Sequence, residues 1–351
     1  MTTPAGPPSR SEHERSRIAH IESMRGEGVA AVPSLLAEFV EPSWAVRRAA
    51  TEVLASGDRN VALALCQALR TERGDEAKIA GIVDALSASK EDVDQTLLEL
   101  TRDQNPAVVC DAVQILGRHE SAHALPRLEE LTRQADDNVA LAAVEALGRV
   151  GSKAAIDSLL QLIATRNFFR TFPAIDVLGR ARDPRVLPAL IELAAEPLYA
   201  AEAVRALGRL ADPGAVAPLV ELLATANEGL VRNLALALVA IREQSKRQFG
   251  TGAAVERVLA VSEKQPALRR QLAQSVKRAD PTEQLAIGQV LAWIGDESTV
   301  PTLLALLDGP GAVAQVAAAS LKQLVGIAEP QLLEALEHGP AARRRLVIPI
   351  V

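Results

Sequence analysis

A Leu-Gly-Arg triplet that returns at a fixed interval constrains this chain more than any other feature. QILGR ends at Arg118, EALGR at Arg149, DVLGR at Arg180 and RALGR at Arg209, at spacings of 31, 31 and 29 residues. Fainter copies lie upstream at Leu86 and Leu54, and downstream at Gly295 and Gly326. A unit of that length cannot bury its own apolar face, so neighbouring units must stack to make a continuous core.

Each period holds two helices. DPRVLPALIELA (183–194) and DPGAVAPLVELLA (212–224) read as one helix of the pair, and AEAVRALGRL (201–210) as the other. In the latter, Ala203, Val204, Ala206, Leu207 and Leu210 follow the 3.6-residue spacing of an apolar stripe. The recurring glycine suits a left-handed helix end, and Asp-Pro at 183–184 and 212–213 supplies a cap and a first-turn proline. The pattern predicts about ten helix pairs. Inner-type helices are expected near 43–56, 75–88, 105–118, 138–149, 168–180, 198–209, 229–242 and 312–325. Between 243 and 294 the phase breaks: REQSKRQFGTG (242–252) reads as a polar loop, and two inner-like helices (266–279, 281–294) crowd together, which predicts a kink or irregularity.

Composition agrees with helices. The 351 residues include 63 Ala and 48 Leu but only eight aromatics, and strands favour β-branched and aromatic side chains. With 38 basic against 44 acidic residues, the net charge of −6 gives no general pull toward nucleic acid or an anionic membrane. Cys66 and Cys110 sit far apart in apolar helical text and read as reduced, buried thiols. Residues 1–17, rich in Pro, Ser and charge, read as a disordered tail without a secretion signal. No apolar run approaches ~18 residues, so no membrane insertion and a cytoplasmic location are expected.

These strings resemble HEAT repeats of the bacterial, phycobilisome-lyase-like type, over residues 18–351. The resemblance implies an all-α fold, a right-handed α-α superhelix, as one solenoid array. It also implies a ladder in which an acid and an Arg six residues later recur along the stack. Glu41 with Val46 and Arg47, and Glu263 with Leu268 and Arg269, fit that pattern. Asp103 is followed by Val108 and Val109, and Asp308 by Val313 and Ala314, so the ladder is expected to be interrupted and the central repeats held by apolar packing. The last residues, EHGPAARRRLVIPIV (337–351), open another inner helix with no Leu-Gly marker and an apolar end. The array is therefore expected to be incomplete there, with a following domain or self-association at that edge.

His119-Glu120-Ser121-Ala122-His123 matches the zinc-protease string, which needs both imidazoles one turn apart on a continuous helix. The repeat register puts His119 to Ser121 in a turn and argues against it. A His-Glu pair in such repeats also resembles deoxyhypusine hydroxylase, but five histidines, of which His13 lies in the tail, cannot complete a di-iron ligand set. Neither a nucleophile elbow nor a phosphate-binding glycine loop is present. No catalytic residue, metal or cofactor is expected.

Two polar or aromatic columns remain. Arg118, Arg149, Arg180 and Arg209 recur at helix ends, where they could grip a partner's carboxylates or instead pair locally with Gln114, Glu145 and Asp176 one turn back. Phe168, Phe169 and Phe172 open one inner helix, Tyr199 opens the next, and Trp44 occupies the column of Phe168; Trp293 reads as core. Aromatics on the concave side of a solenoid are natural anchors for a peptide. The expected function is a non-catalytic scaffold that binds another protein or peptide on its concave face through these residues. A bilin lyase or lyase-like chaperone is the alternative that the resemblance permits. A HEAT-like DNA glycosylase is a second, and it would need Arg47, Arg48, Arg118, Arg149, Arg180 and Arg209 to merge into one stripe uninterrupted by carboxylates.

Overall fold

A computed structural model describes residues 12–261 and 266–351. Among them every regular element is helical, as the composition predicts. The chain divides into two compact units, Met1–Pro173 and Ala174–Val351.

Unit 1 contains α1 (Glu12–Ser23), α2 (Val32–Ala37), α3 (Trp44–Ala55), α4 (Arg59–Thr71), α5 (Glu76–Ala88), α6 (Asp94–Leu100), α7 (Pro106–Arg118), α8 (Leu125–Leu131), α9 (Asp137–Val150) and α10 (Lys153–Ala164), and it ends within α11 (Phe168–Arg180). The odd-numbered helices form an inner layer in which α1 packs on α3, α3 on α5, α5 on α7 and α7 on α9. Helices α4, α6, α8 and α10 back that layer.

Unit 2 continues with α12 (Leu187–Ala194), α13 (Ala200–Leu210), α14 (Val216–Leu223), α15 (Glu228–Phe249), α16 (Ala253–Val261), α17 (Pro266–Ser275), α18 (Pro281–Ile294), α19 (Val300–Leu306), α20 (Gly311–Gln323), α21 (Val325–His338) and α22 (Ala341–Val347). Its inner layer runs α13, α15, α18, α20, α22, backed by α12, α14, α19 and α21. The Asp-Pro steps behave as expected. Asp183 accepts from Arg185 N–H and Asp212 from Gly214 N–H, and a single 3-10 turn then leads into α12 or α14.

The glycines of the repeated triplet do not sit at left-handed helix ends. Gly117, Gly148, Gly179 and Gly208 lie inside α7, α9, α11 and α13, and the left-handed residue comes three positions later, at Glu120, Gly151, Arg182 and Ala211 (φ +51° to +56°). What the triplet glycine provides is close approach. A Cβ at Gly117 would lie 2.8 Å from Cα of Ala146, one at Gly179 2.8 Å from Cα of Ala206, and one at Gly208 3.0 Å from Cα of Ala237. Backbone against backbone leaves no room for a methyl group, so the small pair sets how near successive inner helices lie.

Two further expectations are corrected. Residues 12–17 are helical, because Arg17 pairs with Glu38 and Glu41 and α1 packs on α3; residues 1–11 lie outside the described residues. Residues 243–249 are not a loop. They extend α15, where Ile241 and Ser245 are buried, Arg242 pairs with Glu243 and Glu256, and Gly250 closes the helix at φ +74°. Arg242 also lies 5.1 Å from the centroid of the Trp293 ring, which is half-buried and not full core. The expected irregularity is real but differently built. Helix α18 packs directly on α15 as the next inner helix, while α16 and α17 both contact α14, in the backing layer.

Ion pairs between repeats replace the implied ladder. Arg47 Nη1 donates to the carbonyls of Glu41 and Pro42, and Glu263 lies outside the described residues, while Arg269 pairs with Asp296 at 2.9 Å. Asp103 and Asp308, which lack the ladder Arg six residues later, receive Arg70 and Arg343 from neighbouring repeats. Because these pairs are partly exposed, apolar burial carries most of the stability.

The glycine assignment yields opposite outcomes for two substitutions three residues apart. Gly208→Ala is expected to destabilise by about 1–3 kcal/mol through overpacking, and Ala211→Gly to stabilise by about 0.5–1 kcal/mol by relieving a left-handed alanine. Urea titrations followed by circular dichroism measure both. The thiols give a second check. Burial pushes the Cys66 thiol up to about 12 from 9.0. As pH rises from about 9, the unfolded chain ionises there before the folded one, so stability is lost across that window. Cys66→Ala should remove that loss, read as the unfolding midpoint at pH 8 against pH 10.5.

Candidate functional site

The aromatic cluster forms at the first turn of α11. Phe168 is 50% exposed and Phe169 67%, although the chain has so few aromatics to spend. Phe168 stacks edge-on against Phe169 at 5.4 Å and against Phe172 at 4.9 Å between ring centroids, the geometry their quadrupoles favour. Phe172 is half-buried and anchors the other two.

This turn is held in place from below. Arg170 Nη1 pairs with Asp137 of α9 at 2.6 Å, and its Nη2 donates to the Gln134 carbonyl at 2.8 Å, so a largely buried guanidinium pins the strip that carries the rings. Pro173 has no N–H to return to the Phe169 carbonyl, which separates the first turn from the rest of the helix. The cluster is thus displayed on a short fixed platform, and fixed aromatic rings lose little entropy on contact with a partner.

The other expected contacts are distributed differently. Trp44 is 63% exposed at the start of α3, and Arg48, which also pairs with Glu52, lies 5.2 Å from its ring centroid. The inner helices α5, α7 and α9 separate it from the phenylalanines. Tyr199 is 2% exposed; it caps the start of α13 as a core residue and cannot serve as a surface contact. That corrects the expectation of a surface aromatic at this position: the ring is buried together with the apolar face of α13 that begins at Ala200.

The arginine column is not one positive stripe. Arg118 pairs with Asp84 of α5 at 2.9 Å and donates to Ser87 Oγ. Arg180 and Arg209 both reach Asp176 at 2.8 Å, and Glu202 joins Arg205 and Arg209. Arg149 is exposed. Carboxylates therefore interrupt the column in each unit, which removes the feature a DNA-binding face would need.

His119 and His123 do not share a helix. His119 caps α7, Glu120 is left-handed at φ +52°, and His123 lies in a 3-10 turn. The ring nitrogens of His119 face two acceptors, Asp94 Oδ1 at 3.0 Å and the Leu86 carbonyl at 2.9 Å, so this side chain clips the ends of α5 and α7 to the start of α6. Among the described residues no group of three His, Cys, Asp or Glu side chains is placed to hold a metal. The buried Cys66 and half-buried Cys110 are free thiols, and burial raises both above the ordinary value, which makes them poor nucleophiles.

Sequence reasoning missed Leu141 and Arg170. Leu141, on α9, is 44% exposed and stands one 31-residue period before Phe172. Counting back from the aromatic cluster in the repeat register would have found it.

Comparison with known proteins places this geometry. The model for HEAT repeats matches residues 93–171 and 172–248. No curated protein matches the sequence. Among solved structures, Kap121p bound to Nup53p has 16% identity and a TM-score of 0.50, covering 97% of this chain and 49% of that one. Kap121p alone has 15% identity, a TM-score of 0.49, and coverage of 97% and 47%. A structure concerned with the interaction between cadherin and beta-catenin has 13% identity, a TM-score of 0.47, and coverage of 87% and 71%. The chain spans about half the length of the Kap121p chains it matches. At these identities the likeness is one of fold: the HEAT-repeat model matches within residues 93–248, and the fold is a stack of helix pairs of that kind.

Proposed function

We propose that this chain is a non-catalytic, cytoplasmic scaffold that docks a protein partner on the exposed face of its inner helices, with Phe168, Phe169 and Phe172 as the anchor. The observation that carries this reading is the pinned, exposed aromatic cluster. Two phenylalanines at least half open to water cost the free chain solubility and contribute nothing to its core, which is the economy of a binding hot spot. Arg149 and the Trp44–Arg48 pair are subsidiary contacts on the same layer of unit 1. The same fold in Kap121p holds a protein, Nup53p, which supports a binding role for helix repeats of this kind. The phycobilisome-lyase-like variety of the repeat is a proposal that rests on the Val-Arg and Ala-Leu-Gly strings alone.

A photo-crosslinking amino acid in place of Phe169, with one in place of the exposed Glu221 of the backing layer as control, tests the reading. Mass spectrometry of lysate from the source cell should return a protein adduct specific to position 169. The double variant Phe168→Ser, Phe169→Ser should weaken capture of that protein roughly 30-fold or more, the effect of losing a hot spot of about 2 kcal/mol. Its circular dichroism and melting temperature should stay unchanged, because the rings lie outside the core. Tyr199→Ala should lower the melting temperature instead, by about 3 kcal/mol of lost stability. Undiminished capture by the double variant removes this surface as the docking site.

A further inference from the structure

Resting on that reading, we propose that the face of α5, α7, α9 and the first turn of α11 takes an uncharged, extended segment of the partner in polyproline-II conformation, with an apolar side chain at every third position. Stepping back from Phe172 by the repeat period gives Leu141, Cys110 and Ile79, each 31 residues from the next. All four are partly open to solvent, and all lie in unit 1. They make an apolar column that crosses four successive inner helices, one side chain per helix, and Phe169 widens its end.

The spacing of that column selects the conformation of its occupant. Packed helices lie about 8–10 Å apart, and Gly117 against Ala146 shows α7 and α9 in direct contact. In polyproline II, three residues make a turn of about 9.3 Å, so every third side chain meets the next element of the column. Two turns of an α-helix repeat at about 10.8 Å, and same-face residues of a strand at about 6.7 Å. Only the polyproline-II period falls within the helix spacing.

Charge selects the composition. The ionic groups that flank the column are already matched to one another: Asp111 with Arg73 at 2.7 Å, Asp84 with Arg118 at 2.9 Å, and Asp137 with Arg170 at 2.6 Å. Exposed Glu76 on α5 and Arg149 on α9 cancel in sum. Along the stretch lined by the matched pairs a charged side chain would be desolvated without gaining a counter-ion, so a neutral segment fits best there. A groove of about 580 Å³ beside Ile79 and Val83, bordered by the paired Arg73–Asp111 and Arg118–Asp84 and by Glu76 and Gln114, gives the segment depth at one end.

Selection of a phage library displaying random 14-residue peptides on the full-length chain tests the proposal. The expected clones carry apolar residues at every third position, are rich in proline and poor in charge, and bind Leu141→Asp at least about tenfold more weakly. They should also protect Cys110 from maleimide at pH 8, while buried Cys66 stays unlabelled in either case. Since Leu141 is exposed, Leu141→Asp should keep wild-type circular dichroism; Leu141→Ser serves if it does not. Clones with helical or alternating apolar patterns, clones indifferent to position 141, or no clones at all overturn the inference. In each of those outcomes an adduct from position 169 with the cellular partner would leave the docking reading intact.

Discussion

The contact on which this architecture depends is the one between a glycine in one inner helix and an alanine in the next. At Gly117–Ala146, Gly179–Ala206 and Gly208–Ala237 the backbones meet with no space for another methyl group. Helices that close bury leucine and valine from both sides, so Leu116, Leu147, Leu178 and Leu207 lie at or near zero exposure. The same closeness brings charged side chains of adjacent repeats within reach, as in the Arg209–Asp176 pair that spans the seam of Gly179 and Ala206. The alanine-rich composition is therefore a geometric requirement of the stack. Bulky residues in that seam would widen it and break both the packing and the pairing.

Where the seam leaves the inner helices, they present a surface on which each repeat contributes the same positions. Most positions there are spent on ion pairs that satisfy themselves. Around α11 the text changes: positions that α7 and α9 fill with Pro106 and Ala107 or Asp137 and Asn138 hold Phe168 and Phe169, Phe172 adds a third ring, and Arg170 turns inward to hold them. A surface of paired charges resists unspecific association, and in the docking reading proposed above the aromatic platform within it is the anchor.

The helix pairs and their boundaries were legible in the sequence because two signals coincide: an apolar stripe of period 3.6 and cap residues at matched places. Asp58, Asp75, Asn105, Asp136, Ser152 and Asp280 all accept from backbone N–H groups at the helix starts the pattern implies. Where one signal was missing, the reading failed. The end of α15 is polar text whose helicity comes from Arg242 reaching Glu256 and from buried Ile241 and Ser245, which are tertiary facts. The triplet glycine was misread because glycine has two uses, a left-handed turn and a close approach. Only the neighbouring helix, unseen in local sequence, decides between them. Glu120, Arg182 and Ala211, which do turn left-handed, carry no glycine to mark the place.

The candidate site was legible in part, for a related reason. Scarcity made the phenylalanines conspicuous, but exposure is a property of the pair of elements that flank a residue. Tyr199 opens a helix just as Phe168 does, yet Tyr199 is buried and Phe168 is half open. The difference follows from what comes next in each helix. Tyr199 is followed by Ala200, which is buried with it, whereas Phe168 stacks edge-on against Phe169 and Phe172 in a turn that carries three rings. In an array whose seams are set by alanine and glycine, a run of large residues on one helix cannot all be absorbed, and the excess apolar surface of Phe168 and Phe169 stays open to water.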